Sequence, residues 1–148
     1  MNERKYPKGM TLIELLVAIT IVGILAAIAV VAYTNYLQRA RRADAKTALE
    51  QLRAAQEMRR AEKGSYSTDL TELRTTWGVP ADPVGDYNLS FIAADANSFT
   101  AQAQTGTARQ TPDGSLIINQ NGTKWDCPDN NPCAPSNANT YPNGKWAK

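Results

Sequence analysis

Histidine is absent from the 148 residues. That removes the commonest general base, the commonest zinc ligand and every Ser-His or Cys-His catalytic pairing. With only two cysteines, no four-thiolate metal site can be built. No nucleotide-binding glycine loop and no cluster of acids stand in for them, so the chain offers no catalytic machinery, cofactor or small-molecule substrate site. The balance of 16 basic against 14 acidic residues leaves a formal charge of only +2, without the basic excess typical of nucleic-acid binders. Proline is missing from Met10 to Val79. The length suits one domain plus an extended element, not two ordinary globular domains.

What is present is a long apolar run. Residues 15–33, LLVAITIVGILAAIAVVAY, are 19 consecutive residues without a formal charge. As a helix they span about 28 Å, close to the hydrocarbon thickness of a bilayer. Thr20 is the clearly polar residue inside, and its hydroxyl can bond back to a helix carbonyl. Ahead of the run, MNERKYPKG carries Arg4, Lys5 and Lys8 against Glu3, which orients the segment with its start in the cytoplasm. A secretory signal fails on length and on the lack of a small-residue cleavage site. A core helix fails because a chain this short cannot surround a rod that is apolar all round. A membrane anchor remains. Glu14, between Ile13 and Leu15, is what a plain anchor leaves unexplained. A carboxylate there costs on the order of 2–3 kcal/mol unless it snorkels to the interface. It either snorkels or meets a positive partner in an assembled state.

The stretch KGMTLIELLVAITIVGILAAIAVVAY resembles the N-terminal signature of type IV pilins and of the related pseudopilins of type II secretion. The resemblance implies a basic leader, residues 1–9, cut after Gly9 by a prepilin peptidase that methylates the new terminus at Met10. It makes Glu14 the assembly glutamate of the family, the fifth residue after the cut. Two positions depart from the family pattern: Met10 stands where phenylalanine is usual, and Val31 where most members carry a kinking proline. Removing Arg4, Lys5 and Lys8 together with Glu3 leaves 13 basic and 13 acidic side chains and a new α-amino group. The resemblance further implies other pilin subunits, the inner membrane, an assembly platform and an assembly ATPase as partners. The protein would be an inner-membrane precursor that becomes part of an extracellular filament. Close helix packing would then rest on Gly23, Ala26, Ala27 and Ala29.

Beyond the anchor half, residues 10–33, the helical period continues through residues 34–63. Leu37, Ala40, Ala45, Ala48, Leu49, Leu52, Ala55 and Met58 form an apolar stripe, and Lys63-Gly64 is a helix stop. The whole helix, Thr11 to Lys63, would be roughly 80 Å long. Residues 64–86 read as a connecting region. There Asp69 and Glu72 have the spacing of a capping box for a short turn of helix, DLTELRT, and Trp77, Gly78, Pro80 and Pro83 break regular structure. Residues 87–126 read as antiparallel sheet. YNLSFIAA from Tyr87 and SFTAQAQT from Ser98 alternate so that Tyr87, Leu89 and Phe91, then Phe99, Ala101 and Ala103, share single faces. Asp95, Ala96 and Asn97 suit the turn between them. Asn121-Gly122 marks a hairpin between SLIIN and TKWD. The expected fold is α+β: a long helix, part anchor and part amphipathic, packed by three or four antiparallel strands. This order is similar to the globular half of type IV pilins, especially the minor-pilin branch.

Residues 127–148 are rich in Asn and Pro and cannot supply a core. Cys127 and Cys133 offer a tie: outside the cytoplasmic membrane a disulfide is allowed, and in similar pilins such a disulfide bounds a variable surface loop. A metal or redox pair is the rival reading. Residues 39–63 hold eight bases and four acids, while residues 64–148 hold five and eight. The basic neck is suited to solvent, to anionic headgroups or to the acidic head of a neighbour. Nothing in the sequence singles out nucleic acid as a partner, although some members of the family take up DNA. Three functions are consistent with the chain: a structural pilus subunit, a minor pilin that binds a surface or DNA, and a type II pseudopilin. The cysteine loop favours the pilus. Matches to Asn-x-Ser/Thr at Asn88 and Asn121 carry no assignment of a glycan.

Overall fold

A computed structural model describes residues 9–108, 110 and 114–127. The stretch without proline forms a single helix, α1, Leu12–Lys63, with Thr11 ahead of its first turn. Gly64 follows Lys63 with φ 77, and its amide bonds back to the Arg60 carbonyl, as a helix stop requires. Two compact units divide between Leu37 and Gln38, inside α1.

In the first unit every apolar side chain from Met10 to Val30 that the structure describes is exposed, Ile13 at 64% and Ile28 at 66% among them. The most apolar window of α1 has a mean hydropathy of 3.0 and none of it is buried. A core helix is thereby excluded. The helix continues unbroken from Gly23 through position 31, where no proline intervenes.

In the second unit the amphipathic stripe becomes the core. Ala45, Ala48, Leu49, Leu52 and Ala55 are buried together with Tyr87, Leu89, Phe99, Ala101, Ala103, Leu116 and Ile118. The stripe is interrupted where it was expected to continue. Met58 is 50% exposed, and the buried position on that turn is Gln56. The reason is local: past Ala55 the helix faces the connecting loop, whose backbone needs hydrogen-bond partners. Gln56 donates to the Ser67 carbonyl and accepts from the Ser67 amide, both at 2.8 Å.

The short helix α2, Leu70–Trp77, runs further than expected, since Trp77 is its last residue and Gly78 (φ 74) its left-handed cap. Asp69 caps its start by accepting from the Thr71 amide. The expected box is only half built: Glu72 does not return to the Asp69 amide, which instead donates to Ser67 Oγ. Strands β1 (Tyr87–Ala94), β2 (Phe99–Thr105), β3 (Ser115–Asn119) and β4 (Lys124–Cys127) make an antiparallel meander in sequence order. Leu89, Ala103 and Leu116 stand opposite one another across three strands, as do Phe91, Ala101 and Ile118. A bulge between Phe91 and Ala93 shifts the register at the end of β1. On the other side of the sheet Ile117, Trp125 and Cys127 form a second buried cluster, with Ile92 packed against it.

Candidate functional site

The first turn of α1 is a reciprocal capping box. The Glu14 amide donates to Thr11 Oγ1 at 3.3 Å, and the Thr11 amide donates to Glu14 Oε2 at 3.5 Å. A Thr-x-x-Glu spacing produces this arrangement, because the residue three positions into the helix can fold back over the unpaired amides of the first turn. The carboxylate also sits at the positive end of the helix dipole. Both contacts are long, so they hold Glu14 weakly. It is therefore pre-positioned at the tip of an apolar rod and open to a stronger partner.

Gly9 and Met10 precede this turn and are exposed, Met10 at 68%. Gly23, Ala26 and Ala27 lie three and four residues apart and are exposed, and a Cβ built on Gly23 meets nothing within 4 Å. The Thr20 hydroxyl donates to the Leu16 carbonyl at 2.8 Å, so its proton is satisfied within the helix. Cys127 ends β4 and is buried. Cys133 lies outside the described residues.

The second unit resolves the charge pattern of the neck and head. Arg41 pairs with Asp86 at 2.9 Å. Glu72 accepts from Arg59 at 3.0 Å, from Lys63 at 2.7 Å and from Ser67 Oγ at 2.6 Å. Arg74 pairs with Asp82, and Lys124 with Glu50. Two acids of the head, Asp86 and Glu72, are thus matched with cations of the chain's own neck, and Glu50 of the neck with a lysine of the head, which sequence separation hides. Lys63, Ser67 and Arg59 together hold the Glu72 carboxyl down to about 2. Tyr66 lies between the neck and the β1–β2 turn. Its ring meets Phe99 edge-on at 5.0 Å, the Arg60 guanidinium lies 4.8 Å from its centroid, and its hydroxyl donates to Glu57 at 2.8 Å. Burial pushes this phenol above its usual range, and the Glu57 carboxylate adds to the effect. Among the described residues no three acids or thiols gather to hold a metal.

Comparison with known proteins gives two family matches along the chain. The prokaryotic N-terminal methylation motif matches residues 4–30. The family described as "Type IV minor pilin ComP, DNA uptake sequence receptor" matches residues 32–116. Fimbrial protein EcpC of Eikenella corrodens is 30% identical over 135 residues, 86% of each chain. Fimbrial protein Q of Moraxella bovis is 31% identical over 142 residues, which is 86% of this chain and 89% of its own. Type IV major pilin protein PilA of Myxococcus xanthus is 41% identical over 66 residues, 45% of this chain and 30% of its own.

Proposed function

The chain belongs to the type IV pilin family, and on that premise we propose that it is a structural subunit of a type IV pilus. Its precursor is inserted in the inner membrane, cut after Gly9, methylated at Met10 and polymerised through its apolar helix. The observation that carries this reading is the weakly self-capped Glu14 on a helix whose apolar side chains from Met10 to Val30 are exposed. In a bundle of such helices, Glu14 of one copy pairs with the Met10 amine of another. Such a pair adds little stability in itself, yet breaking it leaves a buried charge costing roughly 3–5 kcal/mol. The pair therefore sets register, while Gly23, Ala26 and Ala27 allow close helix approach. As members of this family are structural subunits, the protein is not an enzyme.

The peptidase, the inner membrane and the assembly platform are the partners this reading needs, with residues 1–9 as leader and residues 10–33 as anchor. A disulfide between Cys127 and Cys133 bounds the terminal loop. The test is mass analysis of sheared filaments together with Glu14→Ala. The expected results are a methylated terminus at Met10 and a variant that enters the membrane but not the filament. A filament built from uncut chains, or one that takes up Glu14→Ala normally, overturns the reading.

The match over residues 32–116 supports a second reading, a minor pilin that binds DNA for uptake. It is distinguished by changing residues 127–133: DNA uptake falls while filaments persist. A bulk filament component with unchanged uptake favours the structural reading.

A further inference from the structure

Among the described residues, Arg39, Asp44 and Glu62 are formal charges to which the structure gives neither an ion pair nor a side-chain hydrogen bond, and all three are exposed. Asp44 borders a groove of about 270 Å³ lined by Thr47, Ala48 and Gln51 of α1 and by Pro80, Val84 and Gly85 of the connecting loop. A long side chain could lay its stem on Ala48, Pro80 and Val84 and bring a cationic head to the Asp44 carboxylate. Arg39 of the same chain does not serve. Five residues along a helix are about 140° apart around its axis, so the two charges point to different sides. One cation and one acid on different faces of the helix form a contact that a second copy can complete. Such a heterologous contact passes from copy to copy, into a ring or a fibre, instead of closing as a two-fold dimer.

The spacing within the second unit agrees with this. Arg39 and Asp44 lie five residues apart, about 7.5 Å along the helix, so a parallel neighbour displaced by less than two turns brings one level with the other. Glu62 lies about 34 Å from Arg39 along the helix and would need a displacement of more than about six turns. We propose that Arg39 of one copy docks in the groove beside Asp44 of a neighbouring copy. The proposal rests on the pilus-subunit reading above.

The test uses the full chain, expressed in cells lacking the native copy, with Arg39→Asp, Asp44→Arg and the two combined. The milder Arg39→Gln and Asp44→Asn accompany them, and protease resistance of the membrane pool reports folding. Each reversal is expected to lower filament recovery about tenfold at an unchanged membrane pool, and the combination to restore it to within about twofold. Single variants that assemble like the parent, or a combination no better than either reversal, overturn the docking. Glu14→Ala in the same assay separates the two levels. If it is blocked while the reversals assemble normally, only the Arg39–Asp44 contact falls. If it assembles normally while the reversals are blocked, the Met10–Glu14 pairing falls and the Arg39–Asp44 contact stands.

Discussion

Glu72 gathers a lysine, a serine and an arginine onto one carboxylate at the junction of α1 with the loop beyond it. Its folded value of about 2 lies below the ordinary 4.5. The unfolded chain therefore takes up a proton first as the solution is acidified. The stabilisation is fully present above the unfolded value, declines as pH falls from 4.5 towards about 2, and is gone below. Glu72→Gln is expected to flatten the pH dependence of thermal unfolding across that window while leaving its slope above pH 5 unchanged. Gln56 is the other residue that ties this junction. Gln56→Leu keeps the bulk of the side chain but orphans both the amide and the carbonyl of Ser67. It should cost about 1–3 kcal/mol, read as a lower midpoint in denaturant. Neither role was legible in the chain. Glu72 has the spacing of a capping residue and Gln56 reads as a polar neck position; what redirects them is Ser67 of the loop, 5 residues from Glu72 and 11 from Gln56 in sequence.

At the scale of elements, local chemistry decided most of the outcome. Alternation placed Tyr87, Leu89, Phe99, Ala101 and Ala103 in the core. Asp95 accepts from the amides of Asn97 and Ser98 at 2.7 and 2.8 Å, which fixes the first hairpin, and these bonds hold its carboxyl below the usual range. The second hairpin depends on Gly122, at φ 75, where an added Cβ would also meet the Arg53 guanidinium at 3.2 Å. Gly122→Ala should therefore destabilise the fold by about 1 kcal/mol, with hydrogen exchange rising first in β3 and β4. The bulge after Phe91 and the burial of both faces of β3 had no sequence signal. Both depend on what lies across the sheet, and residue order does not encode that.

At the scale of the molecule, one helix serves two solvents. The apolar side chains from Met10 to Val30 are uncovered, whereas the half from Gln38 onward supplies a core. Because the space around Gly23 is open, Gly23→Leu has no steric clash in the single chain. Membrane insertion should persist while filament recovery drops several-fold, measured as the ratio of sheared filament to membrane pool, because small residues govern how closely helices approach. The sequence by itself determined the long apolar run, the acid near its tip, the amphipathic continuation and the order of strands. Each is written in spacing over a few residues, and hydrophobic burial and backbone geometry act on that range. Only the tertiary structure decided that Glu72 and Asp86 of the head are matched with cations of the neck, that Gln56 displaces Met58 from the core, and that Arg39 and Asp44 remain unmatched among the described residues. Those outcomes depend on which surfaces meet after the sheet folds across the helix, and Coulomb attraction and hydrogen bonding between distant residues are settled by that geometry alone.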